Sequence, residues 1–232
     1  MSDATLQISR PSQSESIVLS TLTLGVGIVA VAMVSLGRAS GLEGIAFVTG
    51  AIAVWLVVKE NTWNFPIGLI NTATFAVVFF KARLFGDAAL QVAYFILVLN
   101  GWYLWLYGGE RHTRLHVTRA GSRELAALAV VVVASTLVMW RTLSLIGGSA
   151  SFWDAATTST SLGAQWLSNR KRLENWHVWI GVDIVYVPLY LARGLHLTAL
   201  LCAVFVLMAV MGLLHWRKVL DAGAPGVCSR VS

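Results

Sequence analysis

Apolar blocks close to 20 residues long recur along the whole chain, and this recurrence limits the fold more than any single motif does. A helix rises about 1.5 Å per residue, so roughly 20 apolar residues match a hydrocarbon core about 30 Å thick. The chain has 232 residues, of which 57% are hydrophobic and 12% charged. Ordinary soluble domains carry roughly a quarter charged residues. A soluble fold of this length would leave much of that apolar surface in water. The pattern therefore excludes a soluble enzyme, a disordered tail and a disulfide-stapled secreted module, and it predicts an all-α integral membrane protein.

Charge and cysteine usage add less. A net charge of +6 and a pI near 9.7 are compatible with nucleic-acid binding in general. Here, however, the basic residues sit in short loops between apolar blocks, where membrane topology accounts for them. No nucleic-acid partner is expected. Cys202 lies in an apolar block and Cys228 near the C-terminus, which makes no disulfide framework. Residues 1–16 are polar, with Arg10 ahead of the first apolar run. That run, Ile17 to Leu36, is long for a cleavable signal core and reads as a first span or signal anchor.

Eight helices are predicted, over 17–36, 42–58, 63–80, 88–107, 124–146, 152–167, 175–192 and 195–216. The runs are too long and continuous for barrel strands. The sixth is short and polar, with Thr157, Thr158, Ser159, Thr160 and Ser161 in succession. Such a helix must line a cavity or pack against other helices. With eight spans, twelve of the 17 Lys and Arg fall on the side holding both termini and five on the other. The positive-inside rule then puts both termini in the cytoplasm. Omitting the sixth span would place Arg170, Lys171 and Arg172 opposite the Arg111–Arg123 loop, which the rule disfavours.

An internal repeat is also visible. Trp63 followed by Gly68 resembles Trp176 followed by Gly181, and Gly101 followed by Trp105 resembles Gly212 followed by Trp216. Leu84 pairs with Leu195, and Gly50 with Gly163. Two three-helix units, 42–107 and 152–216, would be joined by a linker span at 124–146. Four helices separate equivalent positions, so the two units point the same way, which is one of the two repeat plans known in transporters. Residues 17–36 add one helix, and 1–16 and 217–232 form cytoplasmic tails. The expected binding site lies between the units, near the middle of the bilayer.

Of the 11 acidic residues, nine sit at span ends, in loops or in tails. Asp154 lies near the start of the sixth span, and Asp183 falls well inside the seventh. A carboxylate in that setting marks a functional path by default, the bland alternative being an acid that pins two helices. Asn175, Trp176, Trp179 and Asp183 open the seventh helix, and 176, 179 and 183 share one face. Indole faces ending in a carboxylate suit a flat, polar or cationic ligand. For Trp55, Trp140, Trp166 and Trp216 the interfacial aromatic belt is the better account. The first unit offers Asn71, Thr72 and Thr74 on one helix and Gln91, Tyr94 and Asn100 on the next, and Gln165 faces them from the second. Any one of these amides alone reads as interhelical glue, whereas the set together reads as a lined pocket. Asn64 at the head of its helix suits capping as well as binding. His177, His196 and His215 lack ligand spacing, so neither metal nor cofactor is expected. No phosphate-binding loop, hydrolase or metalloprotease motif occurs, and the chain does not read as an enzyme.

On these residues the chain resembles the PnuC family of bacterial nicotinamide riboside transporters. The resemblance rests on N-T-W-N-F-P-I-G-L-I-N (61–71), L-Q-V-A-Y (90–94), G-W-Y-L-W (101–105) and R-K-R-L-E-N-W-H-V-W-I-G-V-D (170–183). It covers about 42–218. It implies a 3+1+3 helix plan similar to that of SWEET sugar transporters, here with one extra N-terminal helix. It further implies uptake of nicotinamide riboside by facilitated diffusion across the bacterial inner membrane, with trapping by a separate cytoplasmic kinase. The family pattern carries binding roles to Asn175, Trp176, Trp179 and Asp183, and Gln91 and Tyr94 fall in the matching L-Q-x-x-Y. Related members take thiamine or riboflavin, so another vitamin is the alternative cargo. A receptor that does not transport is a further alternative, and a homo-oligomer is compatible with the sequence.

Overall fold

Apolar runs set the helices, and local polar signals set their ends. In the computed structural model, which describes residues 13–37, 40–81, 85–145, 152–192 and 196–223, eight α-helices follow one another. They are α1 (Gln13–Ser35), α2 (Gly41–Val58), α3 (Asn64–Lys81), α4 (Phe85–Tyr107), α5 (Ser122–Leu145), α6 (Phe152–Asn169), α7 (Asn175–Ala192) and α8 (His196–Gly223). The eight expected helices are present, with ends displaced by a few residues. The largest departure is α8, which runs to Gly223, so residues 217–223 are helix and not tail. Leu84, Leu195, Arg10 and Cys228 lie outside the described residues.

Ser40 opens α2 with a reciprocal capping box. The Glu43 amide donates to Ser40 Oγ at 3.2 Å, and the Ser40 amide donates to Glu43 Oε2 at 2.6 Å. After α2 and after α6 the chain turns through one residue in the left-handed region, Glu60 (φ 51°) and Lys171 (φ 49°). A short turn at Glu110–His112 interrupts the long α4–α5 connection.

Five helices are long and apolar enough to cross a membrane: those containing Ser16–Ser35, Gly41–Val58, Leu90–Tyr107, Ser122–Thr142 and Ala199–Ala222. The other three, α3, α6 and α7, have 18 residues each and carry more polar side chains. Those three are sheltered. Helix α3 packs between α2 and α4, α7 between α6 and α8, and α6 against α4, α5 and α7. The Thr/Ser tract of α6 is used for this packing: Thr157, Ser159 and Ser161 are all buried. Small hydroxyl residues allow neighbouring backbones to approach closely, as between helices in lipid.

Two sets of three successive helices emerge from the packing, α2–α3–α4 and α6–α7–α8. They meet through reciprocal pairs, α2 against α8 and α4 against α6. Helix α1 lies on α2 and α8, and α5 lies on α6 with most of its surface apolar and exposed. At one end the sets are tied by polar contacts. Trp105 Nε1 donates to the Ser168 carbonyl at 3.1 Å, and Lys171 Nζ meets Glu60 Oε2 at 2.7 Å. The α4–α5 connection is strapped to the same end. The Thr118 amide donates to the Lys171 carbonyl and the Leu173 amide to the Thr118 carbonyl, while Arg172 pairs with Glu124 at 3.0 Å.

Candidate functional site

Equivalent positions in the two sets recur at a spacing of 111 residues, the separation of Glu60 and Lys171. At that spacing Asn64 corresponds to Asn175. Each opens its helix by donating Nδ2 to the carbonyl three residues earlier, Asn61 at 2.7 Å and Arg172 at 2.6 Å. Phe65 corresponds to Trp176, and each stands edge-on to the indole ending the third helix. Phe65 meets Trp105 at 5.0 Å and 88°, and Trp176 meets Trp216 at 5.3 Å and 82°. Trp105 and Trp216 touch each other at 6.2 Å. Lys59 over Trp55 matches Arg170 over Trp166.

This register corrects two pairings: Gly50 corresponds to Ser161 and not to Gly163, and Trp63 does not correspond to Trp176. The W-x4-G spacing aligns Trp63 with Trp176, but Trp63 is 67% exposed and Trp176 only 2%. Phe65 occupies the place that corresponds to Trp176. Gly101 and Gly212 keep the pairing expected of them, and the reason is steric. A Cβ on Gly212 would lie 2.5 Å from the Trp176 ring, and one on Gly101 would run into the Asn169 amide and the Phe65 ring.

Between the sets lies a cavity of about 320 Å³. It is large enough for a small-molecule ligand. Eight of the nine expected site residues line it: Asn71, Gln91, Tyr94, Gln165, Asn175, Trp176, Trp179 and Asp183. The ninth, Asn100, does not. The cavity face of α4 carries Gln91, Tyr94, Val98 and Trp105, a stripe spaced by three, four and seven residues. Asn100 lies two residues past Val98 on a neighbouring strip of that helix and is exposed. The side chain of Asp154 lies outside the described residues.

Two polar lining residues, Asn169 and Ser168, escaped the sequence. Asn169 sits one turn beyond Gln165 and is buried. Its signal was the i, i+4 spacing of two amides on one helix. Thr72 and Asn64, both noted in the sequence, also line the cavity, so Asn64 both starts its helix and faces the chamber. Thr72 occupies in α3 the position of Asp183 in α7, and Phe205 in α8 that of Tyr94 in α4. Only the 111-residue register makes these equivalences visible.

The polar lining is tied into the protein in a particular way. Asn71 Nδ2 donates to the Ala46 carbonyl at 2.6 Å and lies 3.0 Å from Thr49 Oγ1. Gln165 Nε2 donates to Asn169 Oδ1 at 2.9 Å, and Asn169 Nδ2 donates to the Leu97 carbonyl at 2.7 Å across the two sets. Asn175 Oδ1 and Trp176 Nε1 are buried without a protein partner. Asp183 is the one carboxylate in the lining, and no Lys or Arg is found among the described residues there. Among the described residues no three His, Cys, Asp or Glu side chains group as a metal site. Such a chamber can stack a flat ring, receive hydrogen-bond donors and hold one positive charge.

Residues 40–218 match the family model described as nicotinamide mononucleotide transporter. The chain is 25% identical over 207 residues to the nicotinamide riboside transporter PnuC of Escherichia coli, covering 76% of this chain and 85% of the relative. It is 29% identical over 196 residues to PnuC of Neisseria mucosa, covering 77% and 73%. The riboflavin/roseoflavin transporter RibM of Streptomyces davaonensis is 27% identical over 193 residues, covering 77% and 88%. A crystal structure of the vitamin B3 transporter PnuC superposes with a TM-score of 0.73 at 22% identity, covering 90% of this chain and 93% of that one. This likeness establishes the fold. The chain is a multi-pass membrane protein.

Proposed function

The chain belongs to the nicotinamide mononucleotide transporter family, and from that membership we propose that it carries nicotinamide riboside across the bacterial inner membrane by facilitated diffusion. The observation that carries the substrate is the lining of the chamber. Nicotinamide riboside is a flat pyridinium with one positive charge, an amide and ribose hydroxyls. Trp179 and Tyr94 offer ring faces, Asp183 answers the charge, and the amides of Asn71, Gln91, Gln165 and Asn175 answer the hydrogen-bonding groups. Among the described residues the lining has one carboxylate and no Lys or Arg. A phosphate monoester brings two negative charges, which the Asp183 carboxylate repels and no Lys or Arg among the described lining residues offsets. The dephosphorylated riboside is therefore the cargo and the mononucleotide is not. A neutral flavin, the cargo in the name of one relative, leaves Asp183 unanswered.

The mechanism follows from two like-oriented three-helix units, 42–107 and 152–216, joined by the linker helix in a 3+1+3 plan, with α1 as an eighth span. Supporting this are the 111-residue register and the reciprocal α2–α8 and α4–α6 contacts. The contact of Glu60 with Lys171 supports the parallel sense, because the two corresponding loops lie at one end. The excess of Lys and Arg on that side favours a cytoplasmic location for it and for both termini. Rocking of one unit against the other would expose the chamber to each side in turn. Phosphorylation by a separate cytoplasmic kinase would trap the product.

Purified protein in liposomes tests this. Labelled nicotinamide riboside is expected to enter down its gradient without ATP or an ion gradient, and nicotinamide mononucleotide is not. Trp179→Ala and Asp183→Asn are each expected to weaken riboside binding roughly tenfold or more while the protein stays monodisperse in detergent. Unchanged affinity in both variants removes them from the site. Binding without flux identifies a receptor.

A further inference from the structure

We infer that the chamber is built to present hydrogen-bond acceptors, and that Asn169 is the positioning residue that fixes this polarity at Gln165. The inference deepens the carrier reading above and rests on it. A backbone carbonyl accepts hydrogen bonds and never donates them, so a carboxamide lying against one must turn its nitrogen toward it. Three carbonyls do this around the chamber. Ala46 holds the nitrogen of Asn71 at 2.6 Å, Arg172 that of Asn175 at 2.6 Å, and Leu97 that of Asn169 at 2.7 Å.

The orientation of Asn169 passes to its neighbour. With Nδ2 committed to Leu97, its Oδ1 faces Gln165 and receives Gln165 Nε2 at 2.9 Å. Gln165 is thereby held with its nitrogen toward Asn169 and its carbonyl oxygen turned away from it. Asn71 has a second nitrogen contact at Thr49 Oγ1, and Asn175 Oδ1 is buried with no protein partner. Each of these three amides thus spends N–H on the protein and lines the chamber beside the Asp183 carboxylate, an arrangement that favours its oxygen as the group met by a ligand. The absence of a side chain at Gly101 makes room for the Asn169 amide against α4.

The consequence is a selectivity rule. A ligand must bring donors, such as a primary amide and sugar hydroxyls, to these oxygens, of which Asn175 Oδ1 is buried with no protein partner. A ligand that lacks one donor leaves a desolvated acceptor unpaired and binds roughly tenfold more weakly.

Two analogues test the rule in liposome uptake. In 3-acetylpyridine riboside a methyl ketone replaces the amide with almost no change of shape or ring charge. In 3′-deoxynicotinamide riboside one sugar donor is removed. The unsubstituted protein is expected to take up each roughly tenfold less well than nicotinamide riboside. In Gln165→Leu, and to a lesser degree in Asn169→Leu, at least one of these ratios should fall toward one. Trp179→Ala should lower all three ligands together and leave the ratios in place.

The outcomes separate the two readings. If the unsubstituted protein takes up none of the three, the carrier reading fails. If it takes up all three equally well, the carrier reading stands and the acceptor rule is overturned. If Gln165→Leu keeps both ratios, Gln165 does not read a donor. If Asn169→Leu keeps both ratios while Gln165→Leu does not, the positioning role of Asn169 is overturned. Should Asn169→Leu fail to fold, Gln165→Leu alone still decides the acceptor rule.

Discussion

At the scale of single residues, the absence of a Cβ matters as much as the presence of an indole. Gly212 lets the Trp176 ring lie against α8, and Trp176 in turn packs edge-on against Trp216. Adding one methyl group there must displace a buried ring or a helix backbone. Overpacking of this kind costs roughly 1–3 kcal/mol. Gly212→Ala is therefore expected to lower the thermal midpoint in detergent and to weaken riboside binding, because Trp176 also lines the chamber. Gly181→Ala is the control. Nothing lies within 4 Å of a Cβ at Gly181, so its substitution should leave both measurements close to those of the parent. A binding assay read through indole fluorescence tests the stacking directly. Riboside should quench emission, and Trp179→Phe should remove part of that quenching.

At the scale of elements, the loops after α2 and α6 are joined by an ion pair that water reaches only partly. The side chains of Lys171 and Glu60 keep 9% and 14% of their exposure, and Lys171 Nζ also lies 4.4 Å from the centre of the Trp105 ring. Removing one partner leaves the other charge poorly solvated, which costs more than the pair itself contributes. Lys171→Met and Glu60→Gln should each destabilise the protein by about 1–3 kcal/mol. The double substitution should cost less than the two singles added together, and a double-mutant cycle on thermal stability measures that coupling. Strict additivity would mean that the contact carries no energy. Arg172 and Glu174 work in the same region on the α4–α5 connection, through Glu124 and the Ala120 amide. The long connection is thus an ordered strap, tying α5 to the head of α7.

At the scale of the whole molecule, the reciprocal contacts α2–α8 and α4–α6 leave a chamber whose walls come from both three-helix sets. If transport requires those sets to move apart, tethering them should stop it. With cysteines at positions 60 and 171, a short reducible bifunctional thiol cross-linker is expected to abolish liposome uptake, and reduction to restore it. Riboside binding to the cross-linked protein should persist, since the tether lies outside the chamber lining. Full flux through the tethered protein would exclude rocking at this end.

Much of this was legible before any coordinates, for identifiable reasons. Helix count and span length follow from apolar runs, because lipid requires every backbone group to be satisfied within the segment. Asp183 and Trp179, which line the chamber, could be singled out because a carboxylate and an indole are costly or conspicuous within an apolar run. The misplaced members were decided by register. Asn100 has the same chemistry as Asn71, yet its strip of α4 is exposed while that of Tyr94 and Val98 faces the chamber. Trp63 shares a motif with Trp176, yet Phe65 holds the corresponding place. The sequence by itself determined what each helix had to bury, since transfer energies belong to residue types. Only the tertiary structure decided which polar groups meet, and which atom of each amide is left for a ligand. Those depend on carbonyls such as Leu97 and Ala46, which lie on other helices and carry no mark of their own in the sequence.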